Sequence, residues 1–193
     1  MQMKTMCQAL LVAGTMLFAA SASSQQQNVP SSTFHVGVLY TAARSNPVAG
    51  SSFWLQGGTF ELSAEVKHGF GVAMNLNGAH ASNINSQGVD ITMYTMTFGP
   101  RYTWHSRSRR YDFFGEGLVG DARGTDSIFP TNTGVVSTID TLATQAGGGM
   151  EFHISPRVSF RPIQADWVRT QFPNATTNVQ NTLRLGAGII FGR

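Results

Sequence analysis

The chain has 193 residues and a mean hydropathy of −0.07, and only 12% of its residues are charged, against roughly 25% in ordinary soluble proteins. Lys4 and Lys67 are its only lysines, so it lacks the lysine-rich coat of a soluble β-protein. The formal net charge of +3 comes from basic residues that neither cluster on a predicted helix nor alternate with aromatic residues, which argues against a nucleic-acid partner.

The first 22 residues predict a secretory signal peptide. Lys4 supplies a positive start, Ala9–Ala20 is a short apolar stretch, and Ala20-Ser21-Ala22 fits the small-residue cleavage pattern. Cys7, the single cysteine, lies inside this segment, so the mature chain has no disulfide. No later apolar run approaches the ~20 residues of a transmembrane helix.

Residues 34–193 predict one β-barrel domain, preceded by a flexible segment at 23–33. Apolar and polar residues alternate with a period of two, the signature of a strand with two different faces. The pattern is clearest in Thr182–Phe191, about the length that crosses a bilayer as a tilted strand. Eight strands are predicted: Phe34–Thr41, Thr59–Val66, Phe70–Ala81, Ile91–His105, Tyr111–Ala122, Leu142–Ile154, Val158–Thr170 and Thr182–Phe191.

Three places disturb this alternation. Pro100 and Pro162 each lack an amide hydrogen for the ladder, so we expect a bulge or local irregularity at each. Phe113 and Phe114 are adjacent, so one of these two aromatic residues must break the apolar face.

The predicted connections alternate between tight and long. The long ones are Arg44–Gly57, which carries Phe53 and Trp54, and Ser82–Asp90, Arg123–Thr141 and Phe172–Gln180. Outer-membrane barrels have short periplasmic turns and longer extracellular loops, so both chain ends are predicted to be periplasmic.

The composition of the two faces indicates which one points outward. The polar face consists mainly of small residues, which suit the narrow interior of an eight-stranded barrel. The apolar face gathers aromatic residues near strand ends, as in the girdles of membrane barrels; those singled out as interfacial are Tyr94, Tyr102, Trp104, Trp167 and Phe191. We therefore predict an all-β, antiparallel up-and-down transmembrane barrel, with a secreted soluble barrel of lipocalin type as the alternative.

Four stretches resemble the small eight-stranded outer-membrane proteins of Gram-negative bacteria with OmpA-like and OmpX-like barrels. They are Phe98-Gly99-Pro100-Arg101-Tyr102, the run Phe114–Gly120, Arg161 to Asp166-Trp167, and Leu183–Phe191. The resemblance implies outer-membrane location after export and outer-membrane lipid as surroundings. It also implies a monomer, with one chain per barrel, and contact with periplasmic chaperones and the barrel-assembly machinery during biogenesis.

Eight charged residues fall on the predicted inner face. Buried charges persist when they are paired and hydrogen-bonded, so we expect an ion-pair network that fills the lumen. The alternative is a narrow channel for small solutes or ions whose opening requires these partners to exchange. The residues are Glu61, Glu65, Arg101, Glu116, Glu151, Arg161, Asp166 and Arg184.

No catalytic, cofactor or metal site is predicted. His153-Ile154-Ser155 has the His-x-Ser pattern of an outer-membrane lipid A deacylase, but it falls at a predicted periplasmic turn, so we interpret it as chance spacing. His35, His80 and His105 show no metal-type spacing. The predicted function is a structural or surface-interaction role, with an outside partner contacted through the long loops.

Overall fold

A computed structural model of the protein describes residues 33–45, 53–84, 89–108, 110–125, 129–131, 134–173 and 178–192. The predicted signal peptide, 1–22, lies outside the described residues and stays a prediction. So does all of the predicted flexible segment except its last residue.

Eight antiparallel strands close into a barrel, which confirms the predicted fold class. The strands are β1 Thr33–Ser45, β2 Phe53–Lys67, β3 Phe70–Ile84, β4 Val89–His105, β5 Tyr111–Thr125, β6 Phe129–Thr131, β7 Gly134–Val136, β8 Ile139–Ser155, β9 Val158–Thr170 and β10 Gln180–Gly192. Around the barrel the order is β1-β10-β9-β8-β5-β4-β3-β2, and β6 with β7 forms a separate small hairpin.

Several strands run further than the sequence predicts. The predicted loop Arg44–Gly57 is wrong at both flanks, because Ser45 pairs with Phe53 and the ladder continues through Gly57. Gly57 marks a close backbone approach and not a turn, since a Cβ there would lie 1.9 Å from Gly78 O. Glycine-rich sequence therefore concealed the first residues of β2.

Two of the other long connections are also shorter than predicted. β3 and β4 extend to Ile84 and from Val89, so the predicted loop Ser82–Asp90 is also wrong at its flanks. Within the predicted loop Arg123–Thr141, the described residues include the hairpin in which Phe129 pairs with Val136.

The two prolines behave differently. β4 passes Pro100 without a change of register: Phe98 pairs with Val119 and Arg101 with Glu116, the same step on both strands. The irregularity there is a gap in the ladder with β5 at Gly99 and Pro100 and not a bulge. At Pro162 the bulge is confirmed. β9 steps from Gln164 to Arg161 while β10 steps only from Gly186 to Gly188, and the register against β8 shifts at the same place.

The barrel surface is apolar and its interior is polar. Phe113 points outward and is 47% exposed, while Phe114 points inward and is 5% exposed, so the adjacent pair keeps the alternation of β5.

Tyr94 and Trp104 lie towards opposite ends of β4. A rise of about 3.3 Å per residue separates them by about 33 Å along the strand, or about 25 Å along the axis at a tilt of about 40°, the height of the apolar band in outer-membrane barrels. Within the described ranges there is no helix of the length and apolarity that a membrane span requires.

Candidate functional site in the barrel lumen

Arg161 is at the centre of the lumen and is fully buried. Its Nη1 and Nη2 donate to the two carboxylate oxygens of Glu61 at 2.8 Å each, and Nη2 also donates to Glu151 Oε1 at 2.6 Å. Arg101 approaches from the other side of Glu61, with Nη1 2.6 Å from Oε1, and its Nε donates to Glu116 Oε2 at 3.0 Å. Two guanidinium groups and three carboxylates thus form one continuous network.

A second ion pair lies next to this network. Arg184 Nη2 is 3.0 Å from Asp166 Oδ2, and Gln164 Nε2 donates to the same oxygen at 3.0 Å. Gln164 also accepts a short hydrogen bond from Arg161 Nη1. Arg161 and Gln164 can both face inward because the bulge at Pro162 adds one residue between them.

The ring of Phe114 lies against both guanidinium groups of the lumen network. Arg101 Cζ lies 4.0 Å and Arg161 Cζ 4.3 Å from its ring centroid. Cations over an aromatic face are attracted by the ring quadrupole, more strongly where water is excluded. The ring therefore stabilises both guanidinium groups, which also share Glu61 Oε1.

Neutral polar side chains complete the network around Glu116. Its Oε1 accepts from Asn75 Nδ2 at 2.9 Å and from Gln145 Nε2 at 3.2 Å. Arg101 Nη2 lies 2.9 Å from Glu116 Oε2 but without hydrogen-bond geometry, and Arg161 Nε has no hydrogen-bond partner among the described residues. Two guanidinium nitrogens of the network, Arg101 Nη2 and Arg161 Nε, therefore make no hydrogen bond among the described residues.

A hydrogen-bonded chain crosses the end of the barrel where the tight turns lie, which we call the turn end. His105 Nε2 is 2.9 Å from Glu65 Oε2, and its Nδ1 is 2.9 Å from Asp112 Oδ2. Asp112 Oδ2 is also 2.9 Å from His153 Nε2, whose Nδ1 is 2.8 Å from Ser159 Oγ. The five residues come from β2, β4, β5, β8 and β9, so the chain ties five of the eight barrel strands together. A cavity of about 260 Å³ opens beside it.

The opposite end, the loop end, is closed by apolar side chains. Leu55 and Phe172 are 1% exposed and Ile91 is 2% exposed, and they pack with Met93 and several alanines. Phe172 comes from the connection between β9 and β10, and its carbonyl accepts from Gln180 Nε2 at 2.6 Å. We call this group the apolar seal.

The structure brings seven of the eight predicted lumen charges together in the middle of the barrel. Glu65 lies apart, in the turn-end chain. The sequence analysis did not single out several residues that the network uses: Asn75, Phe114, Gln145 and Gln164. Phe114 and Gln145 share the inward phase of their strands with the predicted Glu116 and Glu151, and Asn75 lies in the polar phase of β3. Stricter use of the alternation would have found these three, whereas Gln164 required knowledge of the bulge.

The predicted aromatic residues all lie on the outer face. Tyr94, Trp104, Trp167 and Phe191 are each about half exposed, and Tyr102 is half-buried because it packs edge-on against Phe70 and Trp104. His153 bonds Ser159 and not Ser155, so the His-x-Ser pattern does not describe a contact. The described residues contain no cluster of His, Cys, Asp or Glu with metal-binding geometry.

Comparison with known proteins identifies the fold. No protein-family model matches the chain, and no curated protein sequence matches it significantly. Among solved structures, neisserial surface protein A is similar with a TM-score of 0.66 at 13% identity, over 82% of this chain and 96% of that one. Ail, the attachment invasion locus protein of Yersinia pestis, is similar with a TM-score of 0.55 at 18% identity, over 83% of this chain and 99% of that one. The chain thus has the fold of the small eight-stranded outer-membrane β-barrels.

Proposed function

We propose that the protein is an outer-membrane barrel with a sealed lumen, whose role is structural or surface-interacting. The observation that carries this proposal is the reversed polarity of the barrel. Large apolar side chains such as Phe70, Ile154 and Val66 are exposed by 60% or more on the outside, while Glu61 and Arg161 are fully buried inside. Lipid solvates the first set, and ion pairing stabilises the second.

The same polarity disfavours the secreted, lipocalin-type barrel. A soluble barrel needs its apolar face inside, around a ligand. Here the cavity beside Arg101 measures about 30 Å³ and the one beside Arg184 about 20 Å³, room for a water molecule at most. The larger cavity of about 260 Å³ lies at the turn end and is lined mainly by polar and charged side chains, unlike an apolar ligand pocket.

Two successive barriers in the lumen favour a sealed barrel and argue against a diffusion pore. The ionic network fills the middle of the lumen, and the apolar seal closes the loop end. Apolar constrictions resist wetting and so block ions even where the diameter would admit them. The narrow channel stays the second candidate, because the spare donors on Arg101 and Arg161 would allow carboxylate partners to exchange.

The surface-interaction part of the proposal concerns the loop end. The first and last barrel strands meet at the turn end, where His35 pairs with Gly192; we place that end in the periplasm and the longer connections outside. The connection between β5 and β8 carries the β6–β7 hairpin and would provide the largest contact surface. Ail, which shares this fold, is named for attachment and invasion.

Heat-modifiability tests the barrel, and planar-bilayer recording tests the seal. We expect the protein of an outer-membrane fraction to migrate differently on SDS gels before and after boiling, and purified barrels to give no steady conductance. Arg101→Ala and Glu116→Ala should also stay closed, because the apolar seal remains. Steady conductance in the native protein, or its change in those variants, would favour the channel. Recovery from the soluble periplasmic fraction without a gel shift would overturn the membrane barrel.

A further inference from the structure

Exposed basic residues surround the turn end of the barrel. They lie in or beside the three tight connections β2–β3, β4–β5 and β8–β9, and every one of them is exposed: Lys67, Arg107, Arg110 and Arg157. Three turns that are far apart in sequence thus present the same sign of charge at one end of the molecule.

The acidic residues of this end do not offset that charge at the surface. Glu65 is half-buried and accepts from Gly69 N at 2.9 Å as well as contacting His105. Asp112 is buried and contacts His105 and His153. Among the described residues of this end, no carboxylate is exposed, so its outer surface carries uncompensated positive charge.

The loop end differs. There Arg123 Nε lies 3.6 Å from Asp140 Oδ1, both largely exposed, and Asp90 and Asp121 are exposed as well. The described part of this end mixes both signs. The positive potential is therefore a property of one end and does not follow from the net charge alone.

The height of these basic residues indicates their partner. Phe70, Tyr102 and Trp104 pack edge to face on the outer surface, with ring centroids 4.6 and 4.7 Å apart. Aromatic clusters of this kind lie at headgroup level in a bilayer. Arg107 follows Trp104 by three residues, and Lys67 precedes Phe70 by three. Both residues therefore lie just beyond this aromatic cluster, at the height where the phosphates of a surrounding bilayer would be.

We propose that the turn end binds the phosphate groups of anionic phospholipids in preference to zwitterionic ones. This inference rests on the proposed membrane location. Guanidinium groups bind phosphate in bidentate fashion, and each Lys or Arg near an anionic surface favours the contact by a factor of about five. A zwitterionic headgroup offers the same phosphate with a compensating ammonium group.

Tryptophan fluorescence can measure this lipid preference. Its three tryptophans are Trp54, Trp104 and Trp167, of which Trp104 lies at the turn end and the others near the loop end. In a W54F/W167F variant reconstituted in phosphatidylcholine vesicles, brominated phosphatidylglycerol and brominated phosphatidylcholine are compared as quenchers of Trp104 fluorescence. We expect phosphatidylglycerol to bind at least about fivefold more strongly at Trp104 in low salt, and the preference to shrink in 0.5 M NaCl.

Matched variants distinguish lipid binding at the turn end from a general attraction of anionic lipid to the whole barrel. In the same background, R107Q/R110Q/R157Q, which leaves Lys67 in place, should reduce the preference several-fold, whereas R44Q/R123Q/R169Q at the loop end should leave it unchanged. A W54F/W104F variant, read at Trp167, should show no preference. Equal quenching by the two lipids at Trp104, or a preference that survives both the turn-end substitutions and salt, would overturn the proposal. Since the gel shift on boiling is measured on the same samples, a barrel that shifts without lipid preference refutes this inference and leaves the proposed barrel intact.

Discussion

In the middle of the lumen, Arg101 and Arg161 are held by three carboxylates, an aromatic ring and several amides, each at a defined distance. Towards the loop end, Leu55, Ile91 and Phe172 close the same barrel by packing alone. Both regions exclude solvent, but one uses directional and the other non-directional interactions.

The difference concerns tolerance to change. A buried ion network is costly to desolvate and becomes strongly unfavourable when one member is lost. An apolar cluster loses stability roughly in proportion to the volume removed and accepts swaps of similar size. We therefore expect the ion network to specify the pairing and register of the strands that carry it. The apolar seal should tolerate substitutions that keep its volume.

The largest effect should follow from Arg161→Met. It leaves Glu61 and Glu151 buried without their shared cation, which should cost about 3–5 kcal/mol. Urea unfolding in lipid vesicles, followed by tryptophan fluorescence, measures it. Arg169→Met, on the same strand but exposed, is the control and should cost less than about 1 kcal/mol. Equal losses in the two variants would mean that the network contributes nothing specific.

Leu55→Ala tests the seal. Removing a fully buried leucine side chain should cost about 2–4 kcal/mol, while Leu55→Met, which keeps the volume, should cost less than about 1.5 kcal/mol. The same unfolding assay applies. If methionine were as damaging as alanine, the seal would be as demanding in geometry as the network, and the contrast between the two regions would fail.

Gly147→Ala tests the space around the Asp166–Arg184 pair. A Cβ at Gly147 would lie 2.1 Å from Asp166 Oδ1 and 2.6 Å from Ala165 O, so we expect a loss of about 1–3 kcal/mol from overpacking. Gly117→Ala is the control, because a Cβ there meets nothing within 4 Å. A loss at Gly117 equal to that at Gly147 would point to backbone effects instead of the ion pair.

The smallest effect concerns the ring of Phe114, which lies against both cations. Phe114→Leu keeps much of the apolar volume and removes the aromatic face, so it should cost about 1–2 kcal/mol. Phe113→Leu alters the neighbouring, outward-facing ring and should cost less than about 1 kcal/mol. Identical stabilities of the two variants would show that the ring acts only by filling space.

The strand number and the two faces could be predicted from the sequence because alternation is a local property. Glu61 and Arg161 are a hundred residues apart, yet each was assigned to the lumen by its own strand. Strand ends were harder to predict. Gly57 and Gly58 look like a turn in sequence, but a closed ladder on both sides keeps them extended.

Which lumen residues contact each other could not be predicted from the sequence. That Arg161 meets Glu61 and not Glu65 depends on the register between strands and on the stagger of the barrel, which is set by all eight pairings together. The apolar seal was missed for a related reason, since Phe172 belongs to a connection that alternation does not describe.

The extra residue at Pro162 has a consequence for sequence comparison. In a barrel without it, the residues that correspond to Arg161 and Gln164 would be two apart and not three. An alignment with such a relative has to open a one-residue gap at this position. Without the gap, the lumen residues on one side of Pro162 would be matched with lipid-facing ones, and a shared network would go unnoticed.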